Sequence, residues 1–308
     1  MALLFFSEVD EPAPWLEAIG RFLPDLDRRV WPELGDPAAI RYALVYRPPA
    51  GLLRTLPNLE VILSLGAGID GIVADPDLPD VPIVRMVEPS LTRTMGDYVL
   101  YAVLRAHRGF DRVERAQATA AWDFRLPALA ETTRVGLLGL GELGRAVAKR
   151  LHDEGFGVSG WSRRPRALAG VRSFAGADEL PAMLAECDVV VSLLPATPAT
   201  RDLIDAAFLA RMRPGAHLVN VGRGDQVVDA DLLAALDAGR LGGATLDVFR
   251  REPLPPEHPF WAHPKVLVTP HIAGCALPET GAAAVAETIR RARAGEPLLH
   301  VVDRSVGY

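Results

Sequence analysis

Short apolar runs alternate with longer stretches of helical spacing along most of the chain. Leu3–Phe6, Ala43–Tyr46, Val61–Leu65 (broken only by Ser64) and Ile83–Val84 are apolar runs, the mark of strands buried on both faces. Pro14–Leu23 and Pro49–Leu56 carry helical spacing, each opened by a proline at a position where an early helix turn tolerates one. Leu91–Thr119 lacks proline and repeats apolar residues at Met95, Val99, Ala102 and Val103, which predicts one long helix crossing from one domain to the next. A second series begins at Arg134, with strands expected at Val135–Leu138, Gly157–Trp161, Val189–Leu193, His217–Val221, Gly243–Asp247 and Val266–Thr269. Strands that alternate with helices specify parallel sheets, and six of them suffice for a doubly wound dinucleotide fold. An alanine-rich helix from Pro278 to Ala294 stops at Gly295 and is expected to pack back on the first domain. The expected fold class is therefore α/β with two domains, one discontinuous (1–98 with 277–308) and one dinucleotide-binding (99–276).

Composition narrows the function classes. A chain of 308 residues, 49% apolar and 23% charged, is ordinary for a globular enzyme of two modest domains. A formal charge of -6 gives no basic field for nucleic acid or an anionic membrane, so neither is expected as a partner. No apolar stretch reaches membrane-spanning length. Met1–Phe6 is short, lacks a basic flank and meets Ser7-Glu8 at once, which reads as a first strand rather than a signal peptide and makes cytoplasm the expected location. Cys187 and Cys275 are too few and too isolated for a disulfide framework, and Cys187 is expected to be buried before the strand at Val189.

The candidate chemistry begins where Val135-Gly136-Leu137-Leu138 runs into Gly139-Leu140-Gly141-Glu142-Leu143-Gly144 and a helix follows. Strand, glycine turn and helix form the context in which a dinucleotide pyrophosphate meets unpaired helix N–H groups. Gly139 makes the turn, Gly141 allows close approach, and Gly144 lets helix and sheet pack. The next strand ends in Ser162-Arg163-Arg164 with no acid to accept a ribose hydroxyl. Two guanidinium groups suit the 2′-phosphate of NADP, so NADPH is the expected cofactor, with NAD possible as the second choice.

Three further residues follow strand-like runs: Arg223 in NVGRGD, Glu252 in RREPLP and His271 in TPHIAG. Carboxyl ends of parallel strands are where open α/β sheets bind ligands. An arginine can clamp a carboxylate through two hydrogen bonds, and a histidine backed by a carboxylate can donate a proton to a developing alkoxide. Together these are the parts that reduction of a 2-oxo acid needs. His258 and His263 lie in a proline-bounded loop without a convincing third ligand, so no metal site is expected. The small residues of Ser64-Leu65-Gly66-Ala67-Gly68 either offer backbone N–H groups to a carboxylate or form a plain strand-to-helix turn.

In SLGAGID, the glycine turn, WSRRP, LLPATPAT, NVGRGD, LDVFRREPLPPE, HPFWAHP, TPHIAG and VDRSVGY the chain resembles the D-2-hydroxyacid dehydrogenase family, closest to its glyoxylate/hydroxypyruvate reductase A type. The resemblance implies a Rossmann-type domain, a smaller flavodoxin-like substrate domain, a cleft between them, and a homodimer. It implies Arg223 on the substrate carboxylate and carbonyl, Glu252 as orienting acid and His271 as proton donor. Gly66, Ala67 and Gly68 then supply backbone donors, and Tyr46 and Met95 join them around the substrate. Tyr46 stands where this type is expected to carry a tryptophan, which leaves the acid accepted open. Leu194, Pro195, Thr200 and Val221 wall the nucleotide beside Glu142 and Leu143, and Asp247 contacts the nicotinamide amide. An NAD-dependent enzyme for a larger, phosphoglycerate-like acid and a dinucleotide sensor without turnover are the rival readings. The first calls for more basic residues than Arg47 and Arg93 near the substrate loop, and the second has no use for a proton relay.

Overall fold

A computed structural model describes residues 1–304 and resolves the apolar runs into two separate parallel sheets. Ser305–Tyr308, the end of the VDRSVGY motif and of the expected first domain, lie outside the described residues. Contacts divide the chain into two compact units, Met1–Leu91 with the segment from Cys275 onward, and Thr92–Gly274.

The first unit holds β1 (Ala2–Ser7), β2 (Asp27–Val30), β3 (Ile40–Tyr46), β4 (Val61–Ser64) and β5 (Ile83–Val84). Their order is β2-β1-β3-β4-β5 and every pairing is parallel, the flavodoxin-like arrangement. Leu4, Ala43, Leu44 and Ile62 are fully buried, as central strands covered on both faces require. Helix α1 (Pro12–Phe22) turns Trp15 and Ile19 inward, and the short α2 (Asp70–Val73) follows the turn after β4.

The second unit holds β6 (Arg134–Leu138), β7 (Gly157–Ser162), β8 (Val171–Ala175), β9 (Val189–Ser192), β10 (His217–Asn220), β11 (Gly243–Leu246) and β12 (Val266–Val268). Helices α3 (Pro89–His107, within this unit from Thr92 on), α4 (Phe110–Ala118), α5 (Glu142–Asp153), α6 (Gly176–Glu186), α7 (Ala206–Arg211) and α8 (Asp229–Asp237) accompany them. The parallel order β8-β7-β6-β9-β10-β11-β12 is the Rossmann order with one strand added. Side chains alternate with the pleat. Leu138, Val190 and Leu218 enter the core on one face, while Leu137, Val189, Val191 and Val219 enter the core on the other. Winding reverses between β6 and β9, so the carboxyl ends of these two strands open a crevice.

The chain returns to the first unit through α9 (Pro278–Ala294), capped by Gly295 in the left-handed region. It lies against α1 so closely that a Cβ at Gly281 would come within 2.6 Å of the Trp15 ring. No helix among the described residues is long and apolar enough to cross a membrane.

Local expectations fail at four places, each for a physical reason. Pro49–Leu56 is not a helix; Gly51 at φ +78° interrupts it and leaves a single 3-10 turn at Leu53–Thr55. The long helix expected over Leu91–Thr119 is two, because Gly109 at φ +64° ends α3 and starts α4. Strands β2 and β8 are not apolar runs at all. Both sit at sheet edges with most side chains accessible, so burial on two faces never shaped their sequences.

Candidate active site

Arg223, Glu252 and His271 occupy the loops that follow three laterally paired strands, β10, β11 and β12. Asn220, fully buried at the end of β10, folds the first loop around its own amide. Its Oδ1 accepts the Gly222 N–H at 3.1 Å and its Nδ2 donates to the Arg223 carbonyl at 3.0 Å. The Arg223 guanidinium, partly exposed, donates to the Gly222 carbonyl at 2.7 Å. Both flanking glycines are steric necessities. A Cβ at Gly222 would lie 2.7 Å from the Leu194 carbonyl oxygen, and one at Gly224 would lie 1.9 Å from the Phe249 carbonyl carbon. The loop carrying Arg223 therefore presses directly on the loop carrying Glu252.

The Glu252 carboxylate is committed at both oxygens. Oε1 accepts the Phe249 N–H at 3.0 Å, and Oε2 pairs with His271 Nδ1 at 2.8 Å. A carboxylate only accepts, so Nδ1 carries the hydrogen and Nε2 is the remaining nitrogen of a partly exposed side chain. His271 sits at φ +56°, unusual for a residue with a Cβ. Its N–H donates to the Asp247 carbonyl at 2.9 Å. The buried Asp247 carboxylate accepts the next two amides, Ile272 at 2.9 Å and Ala273 at 2.8 Å. Asp247 thus holds the histidine turn, and its carboxylate retains one accepting site for a further donor.

The glycine turn is built as a cradle. Gly139 adopts φ +102°, and a Cβ at Gly144 would fall 1.9 Å from the Gly139 carbonyl oxygen, so helix α5 can start only where that residue has no side chain. At Gly141 the opposite holds, since a Cβ there would meet nothing within 4 Å. Open space above a helix N-terminus, framed by Glu142 and Leu143 in its first turn, fits a dinucleotide pyrophosphate. Leu194 and Val221 are buried beside it at the ends of β9 and β10, and Thr200 caps the following turn by donating to the Pro195 carbonyl at 2.7 Å. Ser162 donates to the Arg164 carbonyl at 2.6 Å, and Arg163 and Arg164 are exposed.

The remaining candidates divide between the units. In the first, Tyr46 ends β3 under the Arg47 guanidinium, 5.4 Å from the ring centroid, and a Cβ at Gly66 would lie 3.9 Å from the tyrosine ring. Ser64 Oγ takes up the Gly66 N–H at 3.3 Å and donates to the Gly68 carbonyl at 3.0 Å. Ala67 and Gly68 are thereby the amides of this turn with no acceptor among the described residues. Met95, in the second unit, is buried in the core around Val99, Val103 and Val147, where it packs.

Three site residues escaped the reading of the sequence. Gln226, fully buried, accepts from Ser192 Oγ and donates to the Leu194 carbonyl, both at 2.7 Å, which ties the ends of β9 and β10 together. Thr269 donates to Asp247 Oδ1 at 2.7 Å. Arg166, two residues past the pair singled out above, reaches back to the Leu140 carbonyl at 3.3 Å and adds a third guanidinium beside the cradle. Only Arg166 left a visible signal, the third arginine of WSRRPR.

A family model for the NAD-binding domain of D-isomer specific 2-hydroxyacid dehydrogenases matches residues 100–273. A glyoxylate/hydroxypyruvate reductase A from Serratia proteamaculans is 39% identical over 314 residues, covering 100% of both chains. A D-isomer specific 2-hydroxyacid dehydrogenase from Xanthobacter autotrophicus, crystallised with NADPH and MES, is 47% identical and covers 100% of this chain and 99% of that one, with a TM-score of 0.96. An NADPH-dependent glyoxylate/hydroxypyruvate reductase from Sinorhizobium meliloti, in complex with NADP and sulfate, is 36% identical with the same coverage and a TM-score of 0.94. With the Rossmann order, the glycine cradle and the paired histidine and glutamate already in place, these likenesses settle the family: the chain belongs to the D-isomer specific 2-hydroxyacid dehydrogenases.

Proposed function

We propose that the protein is an NADPH-dependent reductase of small 2-oxo acids, with glyoxylate and hydroxypyruvate as its substrates. The observation that carries this reading is the His271–Glu252 pair at 2.8 Å, which leaves Nε2 as the one ring nitrogen able to hand over a proton. NADPH, when bound, supplies the hydride for the carbonyl carbon. His271 Nε2 gives the proton that the developing alkoxide oxygen requires, and Glu252 balances the charge of the imidazolium before transfer. Arg223 grips the substrate carboxylate and polarises the carbonyl. In the first unit Ala67 and Gly68 offer amides for a carboxylate, and Tyr46 stands beside that turn. Residues 1–98 with 277–308 act as the substrate domain and 99–276 as the cofactor domain.

Gly139 to Gly144 hold the pyrophosphate, with Leu194, Pro195, Thr200 and Val221 as walls. Ser162, Arg163 and Arg164, joined by Arg166, receive the 2′-phosphate that distinguishes NADP. Asp247 offers its remaining accepting site to the nicotinamide amide. A homodimer belongs to the same reading, supported by Trp122, Phe124, Leu126 and Leu129, closely spaced large apolar side chains left largely exposed after α4.

Glyoxylate and hydroxypyruvate assayed with NADPH and with NADH test the proposal. A lower KM for NADPH is expected, and equal values for both cofactors remove the arginine argument. His271→Ala should abolish turnover while leaving NADPH binding in place; a variant that turns over normally takes His271 out of the mechanism.

A further inference from the structure

Behind the histidine turn lies a chain of hydrogen bonds that the proposed roles do not use. Asp247 Oδ1 accepts from both Thr269 Oγ1, at 2.7 Å, and the Ile272 N–H. Thr269 has one hydroxyl hydrogen, and an ionised carboxylate can only accept, so that hydrogen is spent on Asp247. The hydrogen bond between Tyr98 and Thr269 must then run from the phenol to Thr269 Oγ1. The direction is fixed along the whole chain: Tyr98 to Thr269 to Asp247, with Asp247 receiving the two amides that follow His271. Burial pushes the Tyr98 phenol well above its ordinary value, which keeps it a donor at any working pH.

Each end of this chain has a reason to be there. Tyr98 stands on α3 beside Met95, Val99, Ala102 and Val103 and packs against the same core of the second unit. The far end holds His271 at φ +56°, a conformation that L-residues avoid and that only an over-determined setting sustains. The Asp247 carboxylate could satisfy two amides in more than one orientation. Thr269, itself aimed by Tyr98, selects one.

We infer that Tyr98, acting through Thr269 and Asp247, is a positioning residue for His271. The inference rests on His271 as proton donor for its consequence in turnover, but the positioning itself is visible without turnover. The variants are Tyr98→Phe, which removes only the hydroxyl, Thr269→Val, their combination, and Thr269→Ser, which keeps a hydroxyl in place.

Hydrogen exchange in the cofactor-free protein reads the Ile272 and Ala273 amides directly. Loss of one hydrogen bond of ordinary strength should speed their exchange about 3- to 10-fold in Tyr98→Phe and Thr269→Val, with amides of β6 and β9 unchanged. In turnover, kcat should fall by a similar factor while KM for NADPH stays within about twofold, because only the proton donor is misaligned. The double variant should be no worse than the more affected single one, and Thr269→Ser should recover most of the parent behaviour. Unchanged exchange at Ile272 and Ala273 in Tyr98→Phe overturns the inference, as do exchange that rises equally throughout the unit and losses that add in the double variant. A parent protein that reduces no 2-oxo acid defeats the proposed function instead, and the exchange measurement still decides whether Tyr98 holds the turn.

Discussion

The contact beneath Gly224 sets up the sharpest test of how the candidate site is assembled. In Gly224→Ala the new Cβ begins 1.9 Å from the Phe249 carbonyl carbon and 2.2 Å from its oxygen, where ordinary contact begins at 3.4 Å. Both partners are backbone, so no side chain can swing aside, and the two loops must part by roughly 1.5 Å. Phe249 is also the residue whose N–H holds Glu252 Oε1. Parting the loops therefore moves Arg223 away from the Glu252–His271 pair while the strands beneath stay in register. Overpacking of this kind costs about 1–3 kcal/mol of stability, and a displacement near 1 Å at reacting groups can cost on the order of 100-fold in rate. We expect kcat/KM for glyoxylate with NADPH to fall by about that factor, with urea melts showing a loss within that stability range. A folded Gly224→Ala variant with parental kcat/KM would show that the spacing of the two loops does not matter to the reaction, and the reasoning would be wrong.

Gly141→Ala should do the reverse: an unchanged Tm, since its Cβ meets nothing within 4 Å, but an NADPH Kd raised about 10-fold or more by calorimetry because the methyl enters the cradle. Asp111 is buried, which works against its charge, yet His217 at 3.7 Å and Arg115 at 3.1 Å outweigh burial and hold its carboxyl at about 2, below its ordinary 3.8. Its contribution is therefore complete above the ordinary value and lost as pH falls through the depressed one. Asp111→Asn should cost about 2 kcal/mol in urea melts near neutral pH, with the gap closing from about pH 4 down to about pH 2. Burial also pushes the Cys187 thiol up to about 12. A thiol reagent at mildly alkaline pH should spare Cys187 in the native protein and label it only after unfolding, a result read by peptide mapping.

What the sequence made legible was whatever burial on two faces or steric exclusion imposes on residue type. The central strands, the α9 boundaries and the glycine turn all fall in that group, whereas Arg223, Glu252 and His271 are marked only by the strands before them. Edge strands β2 and β8 answer to neither constraint, and DRRV reads like any polar loop. Gly109 is one glycine in an otherwise unbroken helical pattern, and only its backbone angle reveals the break. Gln226 and Thr269 escaped because their importance lies in partners distant in sequence, at Ser192 and Leu194 for one and at Tyr98 and Asp247 for the other. Local pattern carries no trace of such pairings. The resemblance assigns Asp247 to the nicotinamide, while the structure adds that its carboxylate holds the two backbone amides after His271 and the Thr269 hydroxyl.

Strand β12 is three residues long and closes one end of its sheet, paired on one side only. The glycine cradle, in contrast, follows β6, which has a neighbour on each side. His271, the proposed proton donor, is therefore mounted on the least reinforced strand end and the glycine turn on one of the most reinforced. Warming should separate two properties that are usually lost together. Partial opening at β12 silences the enzyme while it still holds its nucleotide, so thermal inactivation should precede release of NADPH rather than follow it.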